Sequence, residues 1–187
     1  YAGNDDDIIV GCVRAAIRAG YRHIDEAEMY GTEPLCGVAV REEMESSGIK
    51  RQEMFITSKI IKSIADPEAG VRASLERLGL EYLDLYLIHS PFGEYDLIKA
   101  WKGMESLVDK GLVKSIGVSN FRVSDLEAVC SQARITPAVN QIENSPILPQ
   151  PELFEYCREK GILVCSYSPL SPLVHLDKDS EGGTSIG

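Results

Sequence analysis

The segment from Leu83 to Pro91 is a short, apolar run of strand-forming residues that ends in His89. Helix-period segments lie on both sides of it, and the same order of strand, polar residue and helix recurs along the chain. Such alternation is typical of parallel sheets, whose catalytic groups lie at the carboxyl ends of the strands. A lone histidine at a strand end is more often structural, so the other strand ends decide what His89 does.

Six strands are predicted, each followed or preceded by a helix. The strands are expected at 21–25, 53–59, 83–89, 113–119, 138–143 and 162–168, and the helices are expected to start near residues 5, 34, 66, 97, 124 and 151. Ser124 to Glu127 has the pattern of a capping box. The tail from Ser171 is polar and rich in glycine, and we expect it to be loose.

This alternation favours an α/β fold of the (β/α)8 barrel type. A doubly wound open sheet would share the alternation, but it usually carries a glycine-rich turn after its first strand, and no GxGxxG sequence occurs here. Eight strands close the barrel, and six are visible. The sequence therefore predicts one truncated barrel domain over 1–187 that lacks the first strand and the final β–α units, and that is not a stable, active monomer by itself.

Composition excludes several classes of partner. The 187 residues carry a formal net charge of −10, which argues against a nucleic acid or an anionic membrane. No run of 18 apolar residues and no signal peptide is present, so a cytoplasmic location is expected, although a lost leader stays open because residue 1 is tyrosine. The odd, scattered cysteines without a CxxC pair predict buried thiols in a reducing compartment, with neither disulfide nor metal site.

Polar residues on three consecutive strands form a candidate proton-donor site. They are Asp25, Tyr30 in the following loop, Lys59 and His89. A lysine cation beside a tyrosine favours the phenolate form, which makes the phenol a usable acid near neutral pH. Asp25 would keep the lysine charged and oriented, and a neutral histidine across the pocket would hold a carbonyl oxygen. Each residue alone also has an ordinary structural explanation, such as an N-cap or a solvated strand end.

Several ordered motifs resemble those of the aldo-keto reductases. They cover nearly the whole chain and are Gly20–Asp25 with Tyr30, Thr57–Lys59, Ser74–Pro91, Gly117–Asn120, Val139–Gln141 and Tyr167–Leu170. The resemblance implies a (β/α)8 barrel that binds NADP(H), with NAD(H) not excluded, and reduces aldehydes and ketones to alcohols. It also implies a small-molecule carbonyl substrate and a monomer in full-length form.

The same resemblance assigns roles to individual residues. Tyr30 would be the general acid, tuned by Lys59 and Asp25, and His89 would orient the substrate together with Tyr30. The cofactor-binding residues would be Asp25, the carboxamide-binding Ser119, Asn120 and Gln141, the ring-stacking Tyr167, and Ser168 and Leu170 against the pyrophosphate. No metal site is expected.

The chain departs from the family pattern at three places. Glu26 stands where Thr or Ser usually follows the aspartate, and an extra carboxylate there is expected to disturb Asp25 and Lys59. Thr32–Glu33 replaces Asn-Glu, and Asn144–Pro146 replaces a His-Pro. The alternative to an enzyme is a catalytically impaired remnant that acts, if at all, as a binding or regulatory protein.

Overall fold

A computed structural model describes residues 6–170, and the predicted loose tail from Ser171 lies outside them. Strands and helices alternate as predicted along this part of the chain. The helices are α1 (Asp6–Arg18), α2 (Glu33–Ser47), α3 (Pro67–Leu78), α4 (Leu97–Asp109), α5 (Val123–Cys130) and α6 (Pro151–Lys160). The strands are β1 (His23–Asp25), β2 (Phe55–Ile60), β3 (Leu83–Ile88), β4 (Val113–Ser119), β5 (Val139–Glu143) and β6 (Leu163–Tyr167). Short 3-10 helices cover Glu28–Tyr30 and Arg51–Glu53.

Local sequence explains where the helices start and stop. The Asp66 side chain caps α3 by accepting a hydrogen bond of 3.1 Å from the backbone N–H of Ala69, and Pro67 occupies the first turn. Gly79 ends the same helix with a φ of 65°, a conformation that glycine adopts without steric cost. The capping box expected at Ser124 was misplaced by two residues. The Asp125 carboxylate instead accepts the backbone N–H of Arg122 at 2.9 Å, so α5 begins earlier.

All six strands are parallel, and they are hydrogen-bonded in chain order from β1 to β6. A doubly wound sheet reverses its strand order at a switch point, whereas the strands here follow chain order throughout. This order favours the barrel over the doubly wound sheet. Within residues 6–170 each of the two outer strands, β1 and β6, is paired on one side. That the chain is a single barrel domain stays a prediction.

The sheet curls strongly, as a barrel requires. Gln141 Nε2 donates a hydrogen bond of 2.7 Å to Asp25 Oδ2, although β1 and β5 are four strands apart in the sheet. Neighbouring strands are spaced at about 4.8 Å, so a flat sheet would separate them by about 19 Å. The curvature therefore turns the carboxyl ends of the strands toward one another.

The hydrophobic core lies between the outer face of the sheet and the helices. Tyr86 and Ile88 of β3 are fully buried there, as are Trp101 and Met104 of α4. No helix in the described part of the chain is long and apolar enough to cross a membrane. All five cysteines are free in this structure. The expectation of buried thiols was correct for Cys36 and Cys157 and wrong for Cys12, which is exposed.

The buried carboxylate of Asp84 connects the amino ends of β2, β3 and β4. Asp84 of β3 accepts the backbone N–H of Ile56 at 2.9 Å and forms ion pairs with Arg51 at 2.8 Å and Lys114 at 3.1 Å. Both cations also lie over the ring of Tyr82. This end of such a barrel contributes stability, whereas the opposite end carries the chemistry.

Candidate functional site

The predicted site residues lie at one edge of the sheet. Asp25, Ser119 and Tyr167 are the last residues of β1, β4 and β6, and His89 directly follows β3. Lys59 is the penultimate residue of β2, and Gln141 lies in β5 opposite Ser119. Because parallel strands point their carboxyl ends the same way, these side chains meet in the opening of the curled sheet.

Lys59 is at the centre of the first group of contacts. Its Nζ donates to Asp25 Oδ1 at 2.7 Å, to the carbonyl oxygen of Glu26 at 3.1 Å and to Tyr30 Oη at 3.2 Å. Its side chain is 1% exposed, whereas that of Asp25 is 38% exposed. A buried ammonium is stable only when it is paired and hydrogen-bonded, and three oxygen partners meet that requirement.

His89 lies beside this group and is held neutral. Burial and, to a smaller extent, the positive charge of Lys59 lower the pKa of His89 to about 4. The negative charge of Asp25 raises it by less than these two effects lower it. Its ring meets that of Tyr30 edge-on, with the centroids 5.6 Å apart. The buried Nδ1 has no hydrogen-bond partner within residues 6–170. A neutral imidazole offers one donor and one acceptor, so His89 can serve a polar ligand.

Amides and hydroxyls form a second group on the other side of the opening. Asn120 Nδ2 donates to the carbonyl oxygen of His89 at 3.0 Å and to Ser119 Oγ at 3.2 Å. The Ser119 hydroxyl in turn donates to the carbonyl oxygen of Gln141 at 2.8 Å. Asn120 adopts a left-handed backbone conformation, with φ at 63°, which asparagine tolerates better than most residues. The amides of Asn120 and Gln141 are thus held at adjacent strand ends.

Tyr167 closes this second group. Its hydroxyl donates to Asn120 Oδ1 at 2.7 Å, and the residue as a whole is 37% exposed. This tether restrains the orientation of the ring at the opening.

Both groups line a cavity of about 460 Å³, a size suited to a small-molecule ligand. The residues around it are Asp25, Met29, Tyr30, His89, Ser119, Asn120, Gln141, Tyr167 and Ser168. Lys59 lies beneath this lining, and Leu170 is exposed and is not part of it. A neighbouring cavity of about 500 Å³ at the starts of α5 and α6 contains none of the predicted site residues.

That Glu26 disturbs Asp25 and Lys59 stays a prediction, and the described contacts of its carboxyl group lie at the start of α2. There it accepts hydrogen bonds from Thr32 Oγ1 at 2.7 Å and from Cys36 Sγ at 2.6 Å. Burial raises the pKa of Glu26, more than these two donors lower it. The additional carboxyl group at this position is therefore hydrogen-bonded by Thr32 and Cys36 of this chain.

Sequence reasoning missed two residues near the site. Met29 lines the cavity and is half-exposed. The sequence offered one signal for it, since Met29 is an apolar residue directly before Tyr30, the candidate acid. Glu28 binds backbone N–H groups of the loop after β2, a contact that residue order alone does not reveal. Within residues 6–170 no group of three or more histidine, cysteine, aspartate or glutamate side chains is arranged to hold a metal ion.

Comparison with known proteins gives a consistent result. A sequence model described as the aldo/keto reductase family matches residues 2–181. The chain is 44% identical over 186 residues to the NAD/NADP-dependent indole-3-acetaldehyde reductase of Schizosaccharomyces pombe, an alignment that covers 96% of this chain and 63% of that protein.

Solved structures agree with the sequence match. The crystal structure of the aldo-keto reductase AKR2E5 complexed with NADPH superimposes with a TM-score of 0.85 at 37% identity, over 90% of this chain and 55% of that one. The Bombyx mori aldo-keto reductase AKR2E4 in complex with NADP gives 0.85 at 35% identity, over 90% and 58%. The chain thus spans less than two thirds of the length of these relatives.

Proposed function

This chain belongs to the aldo/keto reductase family, and we propose that it acts in the NAD(P)H-dependent reduction of an aldehyde or ketone to an alcohol. The observation that carries the proposal is the contact of Lys59 Nζ with both Asp25 Oδ1 and Tyr30 Oη, beside His89 and at one cavity. When bound, the nicotinamide cofactor supplies the hydride for the carbonyl carbon.

Tyr30 is the proposed general acid. Reduction of a carbonyl leaves a negative charge on its oxygen, and a positioned proton donor neutralises that charge in the transition state. The Tyr30 hydroxyl lies at the cavity, 3.2 Å from the Lys59 ammonium. The ammonium stabilises the phenolate that remains after proton transfer, and Asp25 balances the charge of the ammonium.

His89 is the proposed substrate-orienting residue. Its lowered pKa keeps the imidazole neutral near pH 7, so it adds no second positive charge beside Lys59. The single N–H of a neutral imidazole then donates to the carbonyl oxygen and holds it near the Tyr30 hydroxyl.

Ser119, Asn120 and Gln141 are the proposed carboxamide-binding residues. A carboxamide needs both donors and acceptors, and this set of one hydroxyl and two amides supplies both. Tyr167 would stack on the nicotinamide ring, since its ring is tethered and partly exposed. Ser168 and Leu170 remain predictions for the pyrophosphate. The NAD/NADP-dependent relative and the NADP-bound neighbours support NADP(H), with NAD(H) as a second possible cofactor.

The test is Tyr30→Phe in the intact protein, which removes the phenol hydroxyl and keeps the ring. We expect kcat for a generic aldehyde to fall by about 10²–10⁴-fold, with the NADPH dissociation constant within about twofold of wild type. Tyr21→Phe is the matched control, because Tyr21 is an exposed residue before the amino end of β1. Retention of more than about a tenth of wild-type kcat in Tyr30→Phe would remove Tyr30 from this role.

The narrower expectations stay predictions. A monomeric state and a cytoplasmic location are proposed from the sequence, and the substrate is proposed only as a small carbonyl compound. The alternative of an impaired remnant receives no support from the comparisons.

A further inference from the structure

The 3-10 turn that carries Tyr30 begins with a carboxylate bound to the adjacent strand end. Glu28 Oε2 accepts hydrogen bonds from three successive backbone N–H groups, those of Ile61 at 3.1 Å, Lys62 at 2.8 Å and Ser63 at 3.3 Å. Its other oxygen, Oε1, accepts the Ser63 hydroxyl. Successive N–H groups of this kind form a concave anion-binding nest, which here holds a side chain of the same protein.

The nest binds the ionised form of Glu28. Partial burial raises its pKa, but the Ser63 hydroxyl and the three backbone donors outweigh burial and leave the pKa below its usual value. Hydrogen bonds to a charged acceptor are about twice as strong as neutral ones. The nest therefore favours the ionised carboxylate over the protonated acid.

The tether and the catalytic contact join the same two pieces of chain. Glu28 and Tyr30 belong to one 3-10 turn, and the nest at 61–63 begins two residues after Lys59. One link is the carboxylate in the nest, and the other is the 3.2 Å contact between Lys59 Nζ and Tyr30 Oη. Two links restrict the movement of the turn relative to the end of β2 more than either link alone.

We propose that Glu28 is a positioning residue that clamps the Tyr30 turn onto the end of β2 and so holds the phenol at the Lys59 ammonium. This inference rests on the proposed role of Tyr30 as the general acid. Misplacement of a catalytic group by about 1 Å can reduce the rate about 10²-fold, so a tether two residues away has a measurable effect.

The experiment compares Glu28→Ala, Glu28→Gln and Ser63→Ala in the intact protein. Gln can keep its oxygen toward the three N–H groups and its amide toward the Ser63 hydroxyl, so it is the conservative variant. Glu68→Ala and Glu68→Gln are matched controls, because Glu68 makes only surface ion pairs with Arg72 and Lys110 among its described contacts. The measurements are kcat, the NADPH dissociation constant, the melting temperature and the NMR signal of ¹³C-labelled Tyr30, assigned by its loss in Tyr30→Phe.

We expect Glu28→Ala to lower kcat about tenfold with the NADPH dissociation constant within about twofold, while Glu28→Gln and Ser63→Ala retain most of the activity. The Tyr30 signal should move in Glu28→Ala, move little in Glu28→Gln, and stay in place in both Glu68 variants. Normal kcat in Glu28→Ala would overturn the proposal. So would a parallel loss of kcat, cofactor binding and melting temperature, since that pattern indicates a general structural role.

The NMR signal separates this proposal from the proposed function. If wild-type protein reduces no carbonyl compound but the Tyr30 signal still moves in Glu28→Ala, the function fails and the clamp stands. If the protein is active and the signal stays in place in Glu28→Ala, the clamp is refuted and the function stands.

Discussion

Replacing Gly117 by alanine tests whether the spacing of β4 and β5 sets the geometry of the carboxamide-binding group. Gly117 lies in β4, two residues before Ser119. A Cβ atom there would stand 2.6 Å from the carbonyl oxygen of Val139, 2.8 Å from Leu87 Cδ2 and 3.1 Å from the backbone nitrogen of Val139. Two of these neighbours are backbone atoms of the adjoining strand, so a side-chain rotation cannot relieve the clash.

The cost follows from these distances. An ordinary contact needs about 3.4 Å or more, so β5 must move by roughly 0.8 Å at Val139. Inserting a methyl group into a packed site typically costs about 1–3 kcal/mol. The lower chain entropy of alanine in the unfolded state returns up to about 1 kcal/mol. The two terms together give a net loss of about 0–3 kcal/mol. Because two of the clashing atoms are backbone atoms, we expect at least about 1 kcal/mol, which for a chain of this size lowers the melting temperature by about 2 °C or more.

The assay is chemical and thermal denaturation of the intact protein, followed by NADPH titration. Gly11→Ala is the matched control, because a Cβ atom there meets nothing within 4 Å and the residue lies inside α1. The control should be stabilised by about 0.5–1 kcal/mol. Because Ser119 pairs with Gln141 next to the clash, Gly117→Ala should also bind NADPH more weakly. A Gly117→Ala protein as stable as wild type would refute the argument from strand spacing.

Three further outcomes are expected. An NMR titration of His89 should give a pKa of about 4, and a pKa near 6.5 would contradict this account. Because the folded pKa lies below the unfolded pKa of about 6.5, wild-type protein loses stability as the pH falls from about 6.5 to about 4. His89→Gln lacks this loss and should therefore gain stability relative to wild type over the same range. Tyr167→Ala should weaken NADPH binding by about 1 kcal/mol, roughly fivefold, whereas Tyr167→Phe keeps the ring and most of the affinity; equal loss in both would exclude stacking. Asp84→Ala should lower the free energy of unfolding by about 3 kcal/mol in a urea titration, because it leaves the Ile56 N–H and the Arg51 guanidinium without their buried acceptor. A loss below about 1 kcal/mol would contradict that account.

Strand and helix positions were largely predictable because each has a local cause. The apolar run at Leu83–Ile88, the Asp66 cap with Pro67, and Gly79 after α3 each act within a few residues. Boundaries were less accurate. The start of α5 was misjudged because Ser124 resembles an N-cap residue, whereas the N-cap is Arg122 and Asp125, the third residue of the helix, accepts the Arg122 backbone N–H.

The site was predictable as a set of strand-end residues but not as a set of contacts. Asp25, Lys59 and His89 are marked by their place after apolar strands, and Tyr30 by its distance from Asp25. The direction of the Glu26 carboxyl group was not visible in the sequence, because Thr32 and Cys36 bind it only after α2 packs on the sheet. The Glu28 tether was missed for the same reason, since its partners are backbone groups 33 to 35 residues away.

Asp25 connects the two groups of site residues. One of its carboxylate oxygens accepts Lys59 Nζ and the other accepts Gln141 Nε2, each at 2.7 Å. The first contact belongs to the proposed proton donor and the second to the proposed carboxamide-binding group. A shift of Gln141 toward a ligand would therefore act on the carboxylate that balances Lys59, and through it on the phenol of Tyr30. The curl of the sheet, which brings β1 and β5 together, thus makes this single carboxylate the contact between the proposed proton donor and the proposed carboxamide-binding group.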